Sequence, residues 1–465
     1  MPARPWRQSE RRLASLIGAA RRSEDSVKVA VVAEFYPSRR DPVLGVWAHR
    51  QALAARDAGA EVQVLVLHRL IPPQSAVREG PRALMRELGG RAREPRAQML
   101  DGLPVRYVPY VSPPRPRAYA SWGAWAAPAL GLALHRLRRR FAFDLIHAHN
   151  AVPAGDAVRR TLADPAGTGT QSGGLGRAAP GRADLAPWAV YPRPVDVPLV
   201  VSVHGGDVLY TAAPPPRGST AGARAVARGL GAARLTLANS QGIAELCRAH
   251  GSTEVRVVHL GADPPETPRG PRREGPPTLV TVGHLVARKR HADVLRALAV
   301  LGRRHPTLRY EIVGDGAERV ALEGLAARLG VSDRVDMRGQ LSPAQALERA
   351  RRGTLFVMPS TEEAFGVAYI EAMAGGVPAI GCRGEPGPEE IAAAGDGFVL
   401  VPPGDIERLT QRIDELLSDP HRLREAGRRA RESVAANFTW ERCGRQTLAA
   451  YGHALESVGA GAVDR

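Results

Sequence analysis

Two carboxylates stand eight positions apart in EEAFGVAYIEA, residues 362–372. Glu363 precedes what reads as a helix start, and Glu371 lies inside the helix among apolar residues. Gly366 marks the start itself. A helix N-terminus offers unpaired backbone N–H groups and a partial positive charge, which suit a phosphate. A glycine there lets a ligand approach the backbone closely. A carboxylate beside a phosphate would repel it, so the two glutamates have to address something else. Sugar hydroxyls are the natural partners: a ribose diol for Glu371 and the hydroxyls of a transferred sugar for Glu363. A capping glutamate plus a solvated helix glutamate is the plain alternative.

Three further clusters carry chemistry. In VGHLVARKRHADVL, residues 282–295, a strand ends at Gly283, and Arg288 and Lys289 sit where a loop enters a helix. Two cations there could clamp a pyrophosphate and stabilise its charge as a leaving group, or simply form a solvated basic turn. In VGDG, Gly314 and Gly316 make a tight strand-to-helix turn near the ligand. In SVHGGDV, His204 stands at a strand end, followed by Gly205, Gly206 and Asp207, and IHAHN puts His147 and His149 on one side of a strand. No third ligand stands at a familiar metal-binding spacing, so no metal site is expected.

These residues need a frame that brings strand ends together. Apolar, β-branched runs alternate with helix-compatible segments almost throughout: VKVAVVAEF (27–35), EVQVLVL (61–67), DLIHAHN (144–150), PLVVSVHGGD (198–207), LTLANS (235–240) and EVRVVHLG (254–261). The pattern stops in PPETPRGPRREGPP (264–277) and restarts with TLVTVG (278–283), LRYEIVGDG (308–316), RVDMRG (334–339), TLFVMPS (354–360), VPAIG (377–381) and GFVLV (397–401). Such alternation predicts α/β architecture with two doubly wound, mostly parallel sheets, whose ligands sit outside the carboxyl ends of the strands. The expected divisions are a basic arm over 1–26, a first domain over 27–265, a linker over 266–277, a second domain over 278–437, and a C-terminal helix over 438–465 crossing back to the first domain. The low-complexity stretch 164–197 reads as a flexible insertion in the first domain. The segment 117–140, with Trp122, Trp125 and a basic end, reads as a core-facing helix, with a membrane-facing patch as the alternative.

Composition excludes several classes. A chain of 465 residues with 44% hydrophobic and 24% charged residues is an ordinary globular one, long enough for two domains. The net charge of +17 would allow an anionic partner. Lys28 and Lys289 are its only lysines, so an arginine habit supplies most of that charge, and Lys289 stands out. The three cysteines are far apart, which speaks against a zinc or disulfide framework and for a reducing compartment. No apolar run approaches the ~18 residues of a spanning helix. The expected location is cytoplasmic, and the basic face permits peripheral contact with an anionic membrane at its inner side. The charge also fits a nucleic-acid-binding protein, but no aromatic-basic platform accompanies it, so none is expected. A hydrolase using Glu363 and Glu371 would leave Arg288 and Lys289 unexplained.

Taken in order, GVWAHRQALAARDAGAEV (45–62), HGGD (204–207), NS (239–240), HLGAD (259–263), ARKRH (287–291), VGDG (313–316) and EAFGVAYIEAMAGGVP (363–378) resemble retaining glycosyltransferase family 4. The resemblance covers residues 27 to about 450. It implies the GT-B fold, with two Rossmann-like domains facing across a cleft. It also implies a nucleotide-sugar donor bound mainly by the second domain, an acceptor bound mainly by the first, and no divalent metal or other cofactor. Its donor-side residues here are Gly283, Arg288, Lys289, Gly314, Gly316, Glu363, Phe365, Gly366 and Glu371. Arg288 and Lys289 are implied to meet the diphosphate, Glu371 the ribose, Glu363 the donor sugar, and His204 the reacting sugar. Gly45, His49, His149 and Asp207 fall on the acceptor side. The acceptor implied is a glycan, a lipid-linked sugar or a small molecule. The first glycine-rich loop departs from the family pattern, keeping only Gly45, a form shared with relatives that build exopolysaccharide or lipid-linked glycans. A sugar-nucleotide epimerase of the same fold is the alternative activity.

Overall fold

A computed structural model describes residues 26–39, 41–71, 79–92, 95–113, 119–162, 195–211, 219–265 and 275–460. The basic arm up to residue 25, residues 164–194 of the insertion and residues 266–274 of the linker lie outside the described residues. The chain divides into two compact units. The first takes in the chain to Ala238, Ala244–Val257 and everything from Gly444 on; the second takes in Asn239–Ile243 and Val258–Cys443.

Among the described residues, the first unit has eight strands: β1 (Lys28–Ala33), β2 (Glu61–Arg69), β3 (Ala97–Leu100), β4 (Leu103–Tyr110), β5 (Leu145–His149), β6 (Leu199–Val203), β7 (Leu235–Ala238) and β8 (Val255–Val257). Their order is β3-β4-β2-β1-β5-β6-β7-β8. All pairs are parallel except β3 with β4; the sequence pattern reveals β4, in PVRYVPY, but not its antiparallel edge partner β3. β3 alternates exposed and half-buried residues, so it lacks the apolar run by which the other strands are recognised. Val29 to Ala33 and Leu199 to Val203 are buried throughout, as strands covered on both faces must be. Helix α1 (Val46–Asp57) follows β1, and α2 (Trp122–Arg138) precedes β5. α2 buries Trp122, Ala126, Leu130, Leu134 and Leu137 on one stripe and keeps a basic end, which is the core-facing reading of that segment.

The second unit carries β9 (Thr278–Val282), β10 (Arg309–Val313), β11 (Val335–Gly339), β12 (Leu355–Val357), β13 (Ala379–Cys382) and β14 (Phe398–Val401). Their order is β11-β10-β9-β12-β13-β14, all parallel. In chain order within this unit the arrangement is 3-2-1-4-5-6, the doubly wound order. Helices α3 (His291–Leu301), α4 (Val367–Ala374) and α5 (Pro386–Ala394) follow β9, β12 and β13. Leu279, Leu295, Leu298, Tyr310, Ile312, Leu355 and Ile413 form the centre of its core.

Residues 258–265 group with the second unit, although the sequence pattern continues them from β8. The backbone explains this. Ala262 N–H donates to the Phe438 carbonyl, and Gly261 lies so close to Trp440 that a Cβ would stand 2.3 Å from its nitrogen. The last helix, α6 (Trp440–Ala460), contributes its part from Gly444 to the first unit. There Gly444 abuts the Ala54 carbonyl, Thr447 accepts from Gln51, and His453 pairs with Glu254.

Candidate active site

In a doubly wound sheet the chain leaves adjacent strands in opposite directions at one point, and a crevice opens there at their carboxyl ends. In the second unit that point lies between β9 and β12. The β9 loop carries Gly283, Arg288 and Lys289, and the β12 loop carries Ser360, Glu363 and Gly366. Topology thus brings together residues far apart in sequence.

Glu363 is the centre of this cluster. Lys289 Nζ donates to its Oε2 at 2.5 Å, Ser360 Oγ donates to the same oxygen at 2.9 Å, and Arg288 lies 3.9 Å away. All the side-chain contacts described for Glu363 run through Oε2. Burial works to raise the Glu363 carboxyl, but Lys289, Arg288 and Ser360 outweigh it and hold it below the usual range. It is therefore an anion at neutral pH and no proton donor. Its own N–H donates to Glu385 at 2.9 Å, which pins the loop. Sequence reasoning did not single out Ser360 or Glu385; each becomes a partner only when the loop folds.

Two glycines shape the floor. A Cβ on Gly314 would stand 2.1 Å from the Gly283 carbonyl oxygen, and one on Gly316 would stand 2.4 Å from that of Leu285. The β10 turn thus packs directly on the β9 loop, and any side chain there would displace it. Gly366 adopts φ 89° as the N-cap of α4, turning the helix start toward the cluster. Glu371 lies one turn further along α4, half-buried. Its carbonyl accepts from Arg351 Nε at 3.3 Å, and its charge acts on that guanidinium. Phe365 differs from expectation. Its ring is 1% exposed, parallel to His259 at 5.8 Å and edge-on to Phe438. It belongs to the core and can offer a donor only backbone.

In the first unit the corresponding point lies between β1 and β5. His149 ends β5 and His204 follows β6, and the structure joins them. His149 Nδ1 and His204 Nε2 are 2.9 Å apart with ring planes 6° from parallel. Asp207 fastens the two loops, accepting from Ala151 N–H at 2.7 Å and Val152 N–H at 3.3 Å. It is 1% exposed, and burial pushes its carboxyl up to about 7 against those two hydrogen bonds. His147 lies behind, bonded to the Tyr451 and Ser202 hydroxyls, each at 2.8 Å. Burial lowers all three histidines, so they are neutral. Gly45 starts α1 at φ 69°, where a Cβ would lie 2.1 Å from the Phe35 carbonyl oxygen. α1 then presents Trp47 to His204, ring centroids 6.0 Å apart. His49 is the second departure. It is 4% exposed and bonded through both nitrogens, to the Tyr36 hydroxyl and to Asp101, each at 2.8 Å. Its imidazole braces the loop after β1 and has no nitrogen left for an acceptor. Among the described residues no cluster of three or more His, Cys, Asp or Glu side chains could hold a metal ion, and no helix is long and apolar enough to cross a membrane.

Residues 264–433 match the family model described as Glycosyl transferases group 1. The chain is 30% identical to glycogen synthase of Mycobacterium tuberculosis over 43% of its own length and 49% of that protein. It is 37% identical to an exopolysaccharide phosphotransferase of Streptomyces coelicolor over 33% of its own length and 16% of that protein. The chain thus spans about half or less of these curated relatives. Among solved structures, sucrose-phosphate synthase from Thermosynechococcus elongatus superposes with a TM-score of 0.67 at 19% identity, covering 94% of this chain and 100% of that one. Anabaena HepE in complex with UDP-glucose superposes with a TM-score of 0.60 at 17% identity, covering 92% and 99%. By fold this chain is a GT-B protein, and its residues 264–433 match the group 1 glycosyl transferases.

Proposed function

We propose that the protein is a retaining glycosyltransferase of family 4 that moves a sugar from a nucleotide-sugar donor to a glycan, lipid-linked or small-molecule acceptor. The observation that carries this reading is the Lys289–Glu363–Arg288 cluster at the point where the second sheet reverses its winding, beside the start of α4. Two cations and a helix N-terminus offer positive potential to a diphosphate, and the carboxylates offer acceptors to hydroxyls. The group 1 match covers this region, and HepE, a neighbour in fold, holds UDP-glucose.

In this mechanism Arg288 and Lys289 bind the diphosphate and stabilise the charge that develops as it leaves. Glu363, anchored through Oε2, turns Oε1 to a donor-sugar hydroxyl, and Glu371 holds the ribose diol. Neither is a general acid. The departing phosphate takes the acceptor proton on the same face, which retains configuration. No metal is required. The first unit receives the acceptor beside His204.

The test is thermal stability against UDP-, GDP- and ADP-sugars, with Glu371→Ala as control. A donor at a hundred times its Kd adds about 2.7 kcal/mol of stability. A shift with one nucleotide class that the variant loses supports the reading. Equal shifts and equal transfer rates in variant and wild type would remove Glu371 from the site.

A further inference from the structure

The loop from Thr361 to Phe365 carries Glu363 and is held by backbone from both sides. Thr361 N–H donates to the Arg288 carbonyl at 2.9 Å, tying it to the β9 loop. The Glu363 carbonyl accepts from Gly387 N–H at 3.0 Å, tying it to the first turn of α5. A Cβ on Gly387 would stand 2.2 Å from the Phe365 carbonyl oxygen, so helix and loop meet backbone to backbone. Between those ties Glu362 adopts φ 57°, a left-handed conformation unfavourable for a glutamate. Successive N–H groups around such a turn make a concavity that suits an anion. The anion here is the protein's own. Glu363 N–H donates to Glu385 Oε2 at 2.9 Å, and the Glu362 N–H bonds to the same carboxylate.

Glu385 stands at the N-cap of α5, where a short polar side chain ordinarily accepts from the helix's own first turn. Glu385 makes no such bond, and its longer side chain reaches the loop instead. Burial raises its carboxyl and the neighbouring Glu363 and Glu362 charges add to this, while the two loop N–H groups oppose them. A second carboxylate near Glu363 repels that anion, so what Glu385 contributes is its pair of hydrogen bonds. We propose that Glu385 is the positioning residue of the Glu363 carboxylate: an internal anion that fills the backbone concavity at Glu362 and Glu363 and so fixes the Glu363 side chain against Lys289 before any ligand arrives. The inference deepens the donor-site reading and rests on it for what Glu363 meets, but not for the loop geometry. A small carboxylate from solution could then take the place of the side chain, whereas an apolar group could not.

Lys28 and Lys289 are the only lysines, so the full chain labelled with 15N at lysine Nζ gives two ammonium signals, which Lys289→Met tells apart. Without any nucleotide sugar, the Lys289 ammonium, 8% exposed and paired with Glu363, should exchange its protons slowly. Glu385→Ala should speed that exchange about tenfold or more, and added formate should slow it again. Glu385→Gln, which keeps a side-chain oxygen at the same reach, should stay near wild type. Unchanged exchange in a folded Glu385→Ala protein overturns the proposal, and so does faster exchange that formate fails to slow. Formate acting equally on wild type would place the anion at the cations instead, and overturns it too. Glu385→Met fills the space without an acceptor; it should match Glu385→Ala and decides the matter if the smaller side chain prevents folding. In transfer assays Glu385→Ala should lower kcat/KM for the donor about tenfold or more, with formate restoring it. An unchanged donor kcat/KM counts against the proposal. Should no nucleotide sugar bind while the ammonium results hold, the donor reading fails and the positioning of Glu363 stands.

Discussion

Lys289 Nζ stands 2.5 Å from Glu363 Oε2, closing an ion pair between the β9 loop and the β12 loop across 74 positions of sequence. Lysine is the rarer cation in this chain by far, and this one is 8% exposed. Its ammonium shares Glu363 Oε2 with the Ser360 hydroxyl and, at 3.9 Å, with the Arg288 guanidinium.

Breaking that pair from one side should cost more than removing both partners. Glu363→Gln leaves a buried ammonium without its counter-charge, and Lys289→Met leaves a buried carboxylate. Each should destabilise by about 3 kcal/mol. The Lys289→Met, Glu363→Leu double variant should recover much of that loss while transfer stays abolished. Urea melts of the four proteins, with transfer assays alongside, measure the coupling; additive losses would mean that the two residues do not act as a pair.

Acid should weaken the first unit before ordinary carboxylates titrate. Burial pushes His147 and His204 down to about 3 and His149 well below the usual 6.5. Above pH 6.5 neither folded nor unfolded chain protonates them, and their contribution is fully present. As pH falls from 6.5 toward 3, the unfolded chain takes up protons that the folded chain refuses. Stability is then lost at up to about 1.4 kcal/mol per pH unit per histidine. Asp207 runs the other way: pushed up to about 7, its contribution is present below 3.8 and lost as pH rises through 7. Three histidines outweigh one aspartate. Denaturant midpoints should fall between pH 6.5 and 4.5, and more steeply in Asp207→Asn. A flat profile would show that protons reach the cluster without unfolding.

Gly45 and Gly330 separate two costs that glycines avoid. Both have positive φ, 69° and 66°. A Cβ on Gly330 meets nothing within 4 Å, whereas one on Gly45 meets the Phe35 carbonyl oxygen at 2.1 Å. Gly330→Ala should cost about 1 kcal/mol, the left-handed penalty alone. Gly45→Ala should cost about 2 kcal/mol more, because backbone must move. Equal losses would mean that the β1 loop yields freely.

Tyr451→Phe tests the support beneath the histidines from the far end of the chain. It removes the hydroxyl bonded to His147 Nδ1 and leaves a buried nitrogen unpaired. The expected loss is about 1–3 kcal/mol. Unchanged stability in chemical denaturation would indicate that water replaces the hydroxyl.

The strands were legible because burial on both faces demands continuous apolar runs, which stand out against any composition. β3 escaped because a half-exposed edge strand makes no such demand. Gly314 and Gly316 read as a tight turn, and the structure supplies what that turn packs on, the Gly283 and Leu285 carbonyls; at Gly45 and Gly366 the atoms nearest an added Cβ are the protein's own, the Phe35 carbonyl and the Tyr369 ring. Phe365 and His49 depart from expectation for a shared reason. Both are placed by motif position alone, and position in a motif does not say which way a side chain turns. Phe365 turned into the core because His259 and Phe438 bury its ring there. His49 turned to Tyr36 and Asp101, since a buried imidazole needs partners for both nitrogens.

By itself, then, the sequence determined the elements, their doubly wound class and the residue types at strand ends, because local periodicity and backbone sterics act over a few residues. Only the tertiary structure decided which of those residues meet. The 3-2-1-4-5-6 order sets β9 beside β12 and so joins Lys289 to Glu363, and the adjacency of β5 and β6 joins His149 to His204. Pairings of that kind depend on strand adjacency, which comes from packing whole sheets and is encoded at no single position.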